Sequence, residues 1–213
     1  MGARENAKKG RLARRLGKPL LFVLCIVPVA ELAWLAYNGG LGANPIEYLS
    51  RATGDWTLRL LLITLAITPL RKITGWNGVM RFRRMLGLFA FFYATLHLMI
   101  YLVLDQFFAW GHIIEDIAER PYITIGFTAY LLLVPLALTS TNAAMRRLGG
   151  RRWQRLHRLA YVAALAGIVH FLWLVKADLT EPLVYLGLFA VLMSFRYRLL
   201  FARRGGRAAT PAG

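Results

Sequence analysis

Six apolar runs, each close to the length of a bilayer crossing, constrain the fold of this chain more than any other feature. A transmembrane helix needs about 20 predominantly apolar residues. The runs lie at Pro19 to Tyr37, Trp56 to Leu70, Met85 to Leu104, Tyr122 to Leu138, Leu156 to Val175, and Leu183 to Phe201. We therefore predict an all-α polytopic membrane protein, built as a six-transmembrane-helix bundle.

The composition supports the membrane over a soluble setting. Charged residues make up 17% of the 213 residues, whereas a soluble domain carries about a quarter. The net charge of +17 would suggest nucleic acid in a soluble protein, but here hydrophobic segments separate the basic clusters. We expect the lipid bilayer as a partner and no nucleic acid.

The basic clusters alternate along the chain and predict its orientation. Residues 1–18, 71–84, 139–155 and the C-terminal end from Arg196 hold 22 of the 27 Lys and Arg residues. Cytoplasmic loops accumulate such residues, and the connections between these clusters hold eight of the ten acids. We predict cytoplasmic termini, with a basic tail at 1–18, the helical domain at 19–201 and a flexible tail at 202–213.

Two histidines fall inside predicted crossings and suggest a cofactor. His97 lies about 18 Å into the third run and His170 about 21 Å into the fifth, at 1.5 Å per residue. Both helices are predicted to run from inside to outside, so the imidazoles are expected at similar depth. Two facing neutral imidazoles suit the axial positions of a haem iron. The alternative is that each histidine only hydrogen-bonds a neighbouring helix.

His157 is a third candidate ligand, near the cytoplasmic edge. It lies 13 residues before His170, about 19.5 Å along one helix. It is a candidate ligand of a second haem with an unusual partner, a contact for a propionate, part of a cofactor site, or an interfacial histidine. In a four-histidine arrangement the partner would stand at Arg83 or Arg84, so the haem count stays open.

Other ionisable residues and glycines carry weaker predictions. An ion pair between Glu31 and Arg59 would satisfy both charges in the membrane, and a proton-transfer role for Glu31 beside a quinone is the alternative. His112 is expected at the surface. The glycines that would permit close approach of helices or of a flat cofactor are Gly87, Gly126, Gly167 and Gly187.

Three segments resemble the ferric reductase-like transmembrane family. The first is the stretch from Thr139 to Tyr161, which contains the motif Trp-x-x-Leu-His-Arg-Leu beginning at Trp153. The second is the sequence Arg-Arg-Met-Leu-Gly-Leu beginning at Arg83. The third feature is the pair of histidines His97 and His170. The resemblance covers nearly the whole chain. Within the family, the likeness is strongest to haem-binding membrane subunits of periplasmic methionine sulfoxide reductase systems.

The resemblance implies an electron relay in the bacterial inner membrane. Such subunits take electrons from the quinone pool, carry them through haem b and pass them to a soluble periplasmic molybdopterin-containing methionine sulfoxide reductase subunit that repairs oxidised proteins. FMN is also implied by the family, without assigned residues. A cytoplasmic flavin reductase remains a second possible donor.

Two other classes of function stay open from the sequence. A haem-free transporter would use Glu31, Arg59 and the histidines along a substrate path, and a cofactor-free anchor subunit would only hold a partner. No glycine-rich nucleotide loop after a strand and no catalytic triad pattern is evident. We therefore expect an electron-transfer subunit of an oxidoreductase system rather than a self-contained enzyme.

Overall fold

The computed structural model describes residues 2–175 and 177–205, and the side chains of residues 16–175 and 177–197. The described chain is helical and contains no strand. Its α-helices are α1 Gly2–Tyr37, α2 Pro45–Thr74, α3 Arg83–Met99, α4 Trp110–Glu119, α5 Pro121–Leu138, α6 Asn142–Leu148, α7 Gly150–Leu156, α8 Leu159–Leu174 and α9 Thr180–Gly205. The predicted all-α class is confirmed.

Four segments of the described chain are long and apolar enough to cross a membrane. They are Leu16–Tyr37, Arg83–Asp105, Pro121–Leu138 and Gly150–Leu174. Their exposed faces are rich in Leu, Val and Phe, as expected of surfaces that contact lipid. The six crossings predicted from the sequence include these four.

Two closely packed helix pairs form the centre of the bundle. One pair is α2 with α3 and the other is α5 with α8, and α9 packs on α8 and α2. The core between them includes Leu61, Leu65, Ala90, Ala164 and Ile168, each at most 4% exposed. This arrangement brings the four central helices together around one interior space.

Helix α1 is attached to the bundle by the buried side chain of Tyr93 on α3. The Tyr93 hydroxyl donates to the carbonyl of Cys25 at 2.8 Å and accepts from the backbone N–H of Val29 at 3.1 Å. It thus bridges two backbone groups beside Pro28, which has no N–H to donate. Buried backbone groups in lipid need such partners because water is absent.

Local sequence signals account for the helix ends near the interior space. The Asn44 side chain accepts from the Glu47 N–H at 3.3 Å, and Pro45 occupies the first turn of α2. At the other end Gly75 adopts a φ of 69°, the left-handed conformation that glycine favours. Helix α5 likewise begins with a proline, Pro121.

The predicted limits of the second run were wrong. Helix α2 begins at Pro45 rather than Trp56 and ends at Thr74 rather than Leu70. Glu47 and Asp55 were assigned to a connection, but both lie on this helix. The apolar run marks only the part that packs into the bundle, and the amino-terminal part is helical with polar side chains.

The fifth run is not one continuous helix. Helix α7 ends at Leu156, and α8 begins at Leu159. His157, with a ψ of −2°, forms the carboxyl-terminal cap of α7. The rise of 19.5 Å from His157 to His170 assumed one regular helix and does not apply across this break.

Segment 105–120, between the predicted third and fourth runs, contains structure that the sequence reasoning missed. Residues Ile100–Asp105 continue α3 as a π-helical turn, and α4 follows from Trp110. Ile113 and Asp116 are buried on α4, whereas Trp110 and Ile114 are exposed. Residues Trp110–Glu119 of this segment therefore form a helix that packs against α5.

Several predictions fall outside the described residues. Lys176 and residues 206–213 are not described, so most of the predicted tail at 202–213 is outside the structure. The side chains of residues 1–15, which carry most charges of the predicted basic tail, are also outside it.

Candidate functional site

A cavity of about 590 Å³ lies between helices α2, α3, α5 and α8. We call it the histidine-pair site, because His97 and His170 both line it. Six of its lining residues are small: Gly54, Ala94, Gly126, Ala129, Ala163 and Gly167. Cofactor pockets have volumes of about 300–1,000 Å³, so the space suits a cofactor.

His97 reaches the cavity from the last turn of α3. Its Nδ1 lies 2.9 Å from the carbonyl oxygen of Ser50 on α2, and 3.5 Å from the Thr53 hydroxyl. The Thr53 hydroxyl is within donor distance of the Leu49 and Ser50 carbonyls. The π-helical turn starts three residues after His97, and such turns are frequent at functional sites.

His170 reaches the same cavity from α8. Its Nδ1 lies 2.6 Å from the carbonyl oxygen of Tyr122 on α5. The His97 and His170 ring centres are 6.1 Å apart, with the planes at 81°. The structure thus brings together the two histidines that the sequence paired.

The hydrogen bonds fix which ring nitrogen of each histidine is available. A carbonyl oxygen can only accept, so Nδ1 of both rings must donate. A neutral imidazole that donates from Nδ1 carries its lone pair on Nε2. Both rings therefore offer a metal ligand at Nε2, with Nδ1 held by the protein in the way that orients metal-binding histidines.

Charged side chains line the end of the cavity nearest α4. Arg51 pairs with Glu47 at 2.9 Å, and Arg120 pairs with Asp116 at 3.1 Å. The Tyr101 hydroxyl donates to the same Asp116 carboxylate at 3.0 Å. This end therefore combines an apolar interior with a charged rim.

His157 does not line this cavity and lies in a second cluster, which we call the His157 site. Its ring stacks on Trp153 with 3.8 Å between centres. Its Nε2 lies 3.1 Å from the Thr139 hydroxyl oxygen, and that hydroxyl donates to the Pro135 carbonyl at 2.6 Å. The Thr139 hydrogen is thereby used, so Nε2 of His157 must donate and the lone pair is on Nδ1.

Arg83 and Arg84 stand at the α6 and α7 end of the bundle. Arg84 donates to the Ser140 carbonyl and to the Asn142 side chain, the latter at 3.0 Å. Arg83 interacts electrostatically with His157, and also with Tyr161 and Arg196. The guanidinium of Arg196 lies 4.5 Å from the centre of the Tyr161 ring.

The ion pair predicted between Glu31 and Arg59 was wrong. Arg59 donates to the Tyr185 hydroxyl at 3.0 Å and lies 3.7 Å from the Asp55 carboxylate, one turn away on α2. Glu31 is exposed on α1. The guanidinium thus finds partners on α2 and α9 instead of α1. The exposed position predicted for His112 is confirmed.

Comparison with known proteins places the chain in a family. The family model described as "Ferric reductase like transmembrane component" matches residues 53–168, more than half of the 213 residues. The chain belongs to the ferric reductase-like transmembrane family. The matched segment includes His97, His157 and most of the helices around the cavity.

Relatives of MsrQ type match the chain over most of its length. A protein of Rhodospirillum rubrum named "Protein-methionine-sulfoxide reductase heme-binding subunit MsrQ" is 52% identical over 195 residues, 91% of this chain and 94% of the relative. A protein of the same name from Herminiimonas arsenicoxydans is 51% identical over 84% of this chain and 83% of the relative. Another, from Xanthomonas axonopodis pv. citri, is 52% identical over 91% of this chain and 92% of the relative. The family resemblance inferred from the sequence is confirmed.

Sequence reasoning missed the groups that hold the two imidazoles. The Ser50 and Tyr122 carbonyls are backbone atoms, which no side-chain pattern reveals. Gly126 was singled out as a position for the close approach of helices or of a flat cofactor, and Gly54 was not singled out. The glycines at positions 54 and 126 were the only trace of these contacts in the sequence, and they do not identify the carbonyls by themselves.

Proposed function

We propose that this chain is a haem b-binding electron-transfer subunit, with His97 and His170 as the axial ligands of one haem. The observation that carries the proposal is the pair of imidazoles 6.1 Å apart, each with Nδ1 bonded to a carbonyl. Nitrogen ligands about 2 Å from a metal on opposite sides bring two ring centres to about this separation. The MsrQ relatives, named heme-binding subunits, add support.

The donor set at the cavity favours haem over a bare metal ion. In the part of the chain that the structure describes, no group of three or more His, Cys, Asp or Glu side chains could hold a metal ion. A bare ion would therefore find only two protein ligands at His97 and His170. Haem brings the ring nitrogens itself and needs only axial ligands from the protein. The small residues of the lining leave room for a flat macrocycle.

The side chains and carbonyls of the site would bind and orient the cofactor. Bound haem supplies a one-electron carrier, whose potential depends on axial ligands, hydrogen bonding and burial. His97 and His170 bind through Nε2, and the Ser50 and Tyr122 carbonyls fix the ring orientations. The interior of the cavity is largely apolar, and Arg51 and Arg120 are cations among the residues that line it.

The wider proposal concerns the electron donor and acceptor. We propose that the chain takes electrons from the quinone pool of the bacterial inner membrane and passes them to a periplasmic molybdopterin-containing methionine sulfoxide reductase subunit. The names of the relatives support a role in such a reductase. Residues of α4 line the histidine-pair site, which supports electron transfer to the reductase subunit at that end of the bundle. FMN stays a prediction without assigned residues.

The topology proposal is six crossings with both termini in the cytoplasm. Besides the four apolar spans, α2 and α9 have 30 and 26 residues, which exceeds the roughly 20 needed to cross. Alkaline phosphatase fused at residue 40 or 110 should be active, and fusions at residue 76 or 148 inactive. Activity at residue 76 or 148 would contradict the orientation.

His157 as ligand of a second haem stays a prediction. Its Nε2 is engaged by Thr139, so iron binding would use Nδ1 or require the ring to leave this partner. A reduced minus oxidised visible spectrum tests both haem proposals. Purified wild type should show a b-type signal that is lost in His97→Ala and His170→Ala.

The same spectrum in His157→Ala counts the haems. Retention of the full signal gives one haem, and loss of about half gives two. A colourless wild-type protein from haem-replete cells would overturn the haem proposal and favour a transporter or anchor. Retention of the full signal in both His97→Ala and His170→Ala would overturn the ligand assignment.

A further inference from the structure

The two cavity histidines bind their neighbouring helices through the same local arrangement. His97 donates to the carbonyl of Ser50, and Gly54 lies four residues further along α2. His170 donates to the carbonyl of Tyr122, and Gly126 lies four residues further along α5. We call these the Ser50–Gly54 pair and the Tyr122–Gly126 pair.

Helix geometry explains why a glycine stands at the fourth position. In an α-helix each Cα–Cβ bond tilts toward the amino terminus, and residues four apart lie on the same face. A side chain four residues after a carbonyl therefore covers the side from which a neighbouring group approaches that oxygen. Glycine leaves this approach open, so an imidazole can lie against the helix and reach the carbonyl.

The two pairs differ in how closely the ring approaches. A Cβ atom placed on Gly126 would lie 2.7 Å from Nδ1, 2.9 Å from Cε1 and 3.1 Å from Cγ of His170. A Cβ placed on Gly54 would lie 3.4 Å from the nearest atoms of His97, which is an ordinary contact. Only the Tyr122–Gly126 pair requires glycine on steric grounds.

We propose that Gly126 is a positioning residue for the axial ligand His170. Its missing side chain lets the ring reach the Tyr122 carbonyl, which holds the proton on Nδ1 and leaves Nε2 for iron. The inference rests on the proposed haem ligation and goes beyond it, because it assigns ligand orientation to a residue that would touch neither iron nor substrate. It also makes the two ligands unequal: alanine is compatible with the geometry beside His97 and incompatible beside His170.

The test compares two glycine-to-alanine variants of the full-length protein in detergent. Gly126→Ala displaces the His170 ring. Gly187→Ala on α9, where the added Cβ would meet nothing within 4 Å outside the adjacent backbone of its own helix, is the control for substitution alone. We expect apparent haem affinity to fall about 10- to 100-fold in Gly126→Ala, the range for groups that orient metal ligands, and to stay at the wild-type value in Gly187→Ala.

Carbon monoxide gives a readout that a general loss of packing would not produce. A haem iron with two histidine ligands has no open position, so the reduced wild type should not bind carbon monoxide. Reduced Gly126→Ala should bind it, because His170 no longer occupies its position. The EPR spectrum of the oxidised form, which reports the orientation of the two ligand rings, should change in this variant alone.

The outcomes separate this inference from the haem proposal. Loss of the haem signal in His97→Ala and His170→Ala would support the haem proposal. If Gly126→Ala then excluded carbon monoxide and kept the wild-type haem affinity and EPR spectrum, only the role of Gly126 would be overturned. Should Gly126→Ala fail to fold, the double variant Gly126→Ala, His170→Gly carries the test, because it lacks the ring that the added Cβ would meet. Added imidazole should restore less of the haem signal in this double variant than in His170→Gly alone, and equal restoration would overturn the inference.

Discussion

The histidine-pair site and the His157 site present opposite nitrogens of the same side chain. In the first, His97 and His170 donate from Nδ1 to carbonyls and keep the lone pair on Nε2. In the second, His157 donates from Nε2 to the Thr139 hydroxyl and stacks on Trp153. The first site surrounds a cavity of about 590 Å³, whereas the ring of the second is packed against aromatic and hydroxyl groups.

The difference teaches that the partner of one ring nitrogen decides what the other can bind. A histidine whose Nδ1 is held by a carbonyl is oriented to bind metal through Nε2. A histidine whose Nε2 donates to a hydroxyl keeps its lone pair on Nδ1 instead. In the sequence all three were histidines within apolar runs, which made all three candidates for haem although His157 was expected nearer the cytoplasmic edge.

Replacement of a histidine by glycine is expected to have the largest effect on haem content and to distinguish the two sites. His170→Gly should lose most of its haem and recover the signal when imidazole is added, because the small ligand can enter the cavity. His157→Gly should keep the signal of the histidine-pair site without imidazole. Haem content measured as the pyridine haemochrome checks both variants. Loss of the same signal in His157→Gly and His170→Gly would contradict the assignment of that haem to the histidine-pair site alone.

Thr139→Val tests the structural role of the His157 site. The valine removes the acceptor for Nε2 of His157 and the donor to the Pro135 carbonyl. We expect the free energy of unfolding to fall by about 1–3 kcal/mol, the cost of leaving buried polar groups unsatisfied. Unfolding can be followed with a thiol-reactive dye, because Cys25 is the single cysteine and is 4% exposed.

The matched control is Thr128→Val on α5. Thr128 is exposed, and its hydroxyl donates to the Thr124 carbonyl on its own helix. Stability should stay within about 0.5 kcal/mol of wild type. Equal losses in the two variants would argue against a specific role for the hydroxyl of Thr139.

Trp153→Phe should have a smaller effect at the same site. The phenyl ring retains an aromatic surface for His157, but the bond from the indole Nε1 to the Thr139 carbonyl, 2.9 Å long, is lost. We expect a loss of about 0.5–1.5 kcal/mol by the Cys25 assay, with an unchanged spectrum of the histidine-pair site. A spectral change would show that the two sites are coupled.

Arg51→Gln at the rim of the histidine-pair site should have the smallest effect on stability. Its ion pair with Glu47 is 2.9 Å long, but both side chains are more than half exposed. Exposed pairs of this kind contribute about 0–1 kcal/mol. The Cys25 assay should therefore detect little change. A loss well above 1 kcal/mol would mean that the rim contributes to folding more than its exposure indicates.

Much of the fold could be predicted from the length and position of the apolar runs, and the errors have local causes. The limits of α5 were predicted to within one residue, because Pro121 and Thr139 bound an uninterrupted apolar run. Helix α2 was predicted too short, because its first turns are polar yet helical. The break at His157 was missed, since Arg-rich and apolar residues on both sides are each compatible with a helix.

The sequence by itself determined the all-α class, the four most apolar spans, and the pairing of His97 with His170 at similar depth. These follow from properties that are local along the chain, namely run length, composition and rise per residue. The break of the fifth run and the partners of Arg59 depend on packing between helices.

Only the tertiary structure decided which nitrogen each histidine presents. The deciding contacts join residues 47 and 48 positions apart, Ser50 with His97 and Tyr122 with His170. A backbone carbonyl has no sequence signature, and at Tyr122 the approach of the His170 ring to it also depends on the missing side chain of Gly126. The physical reason is that metal ligation by histidine depends on the tautomer, and the tautomer is set by a hydrogen bond that only packing creates.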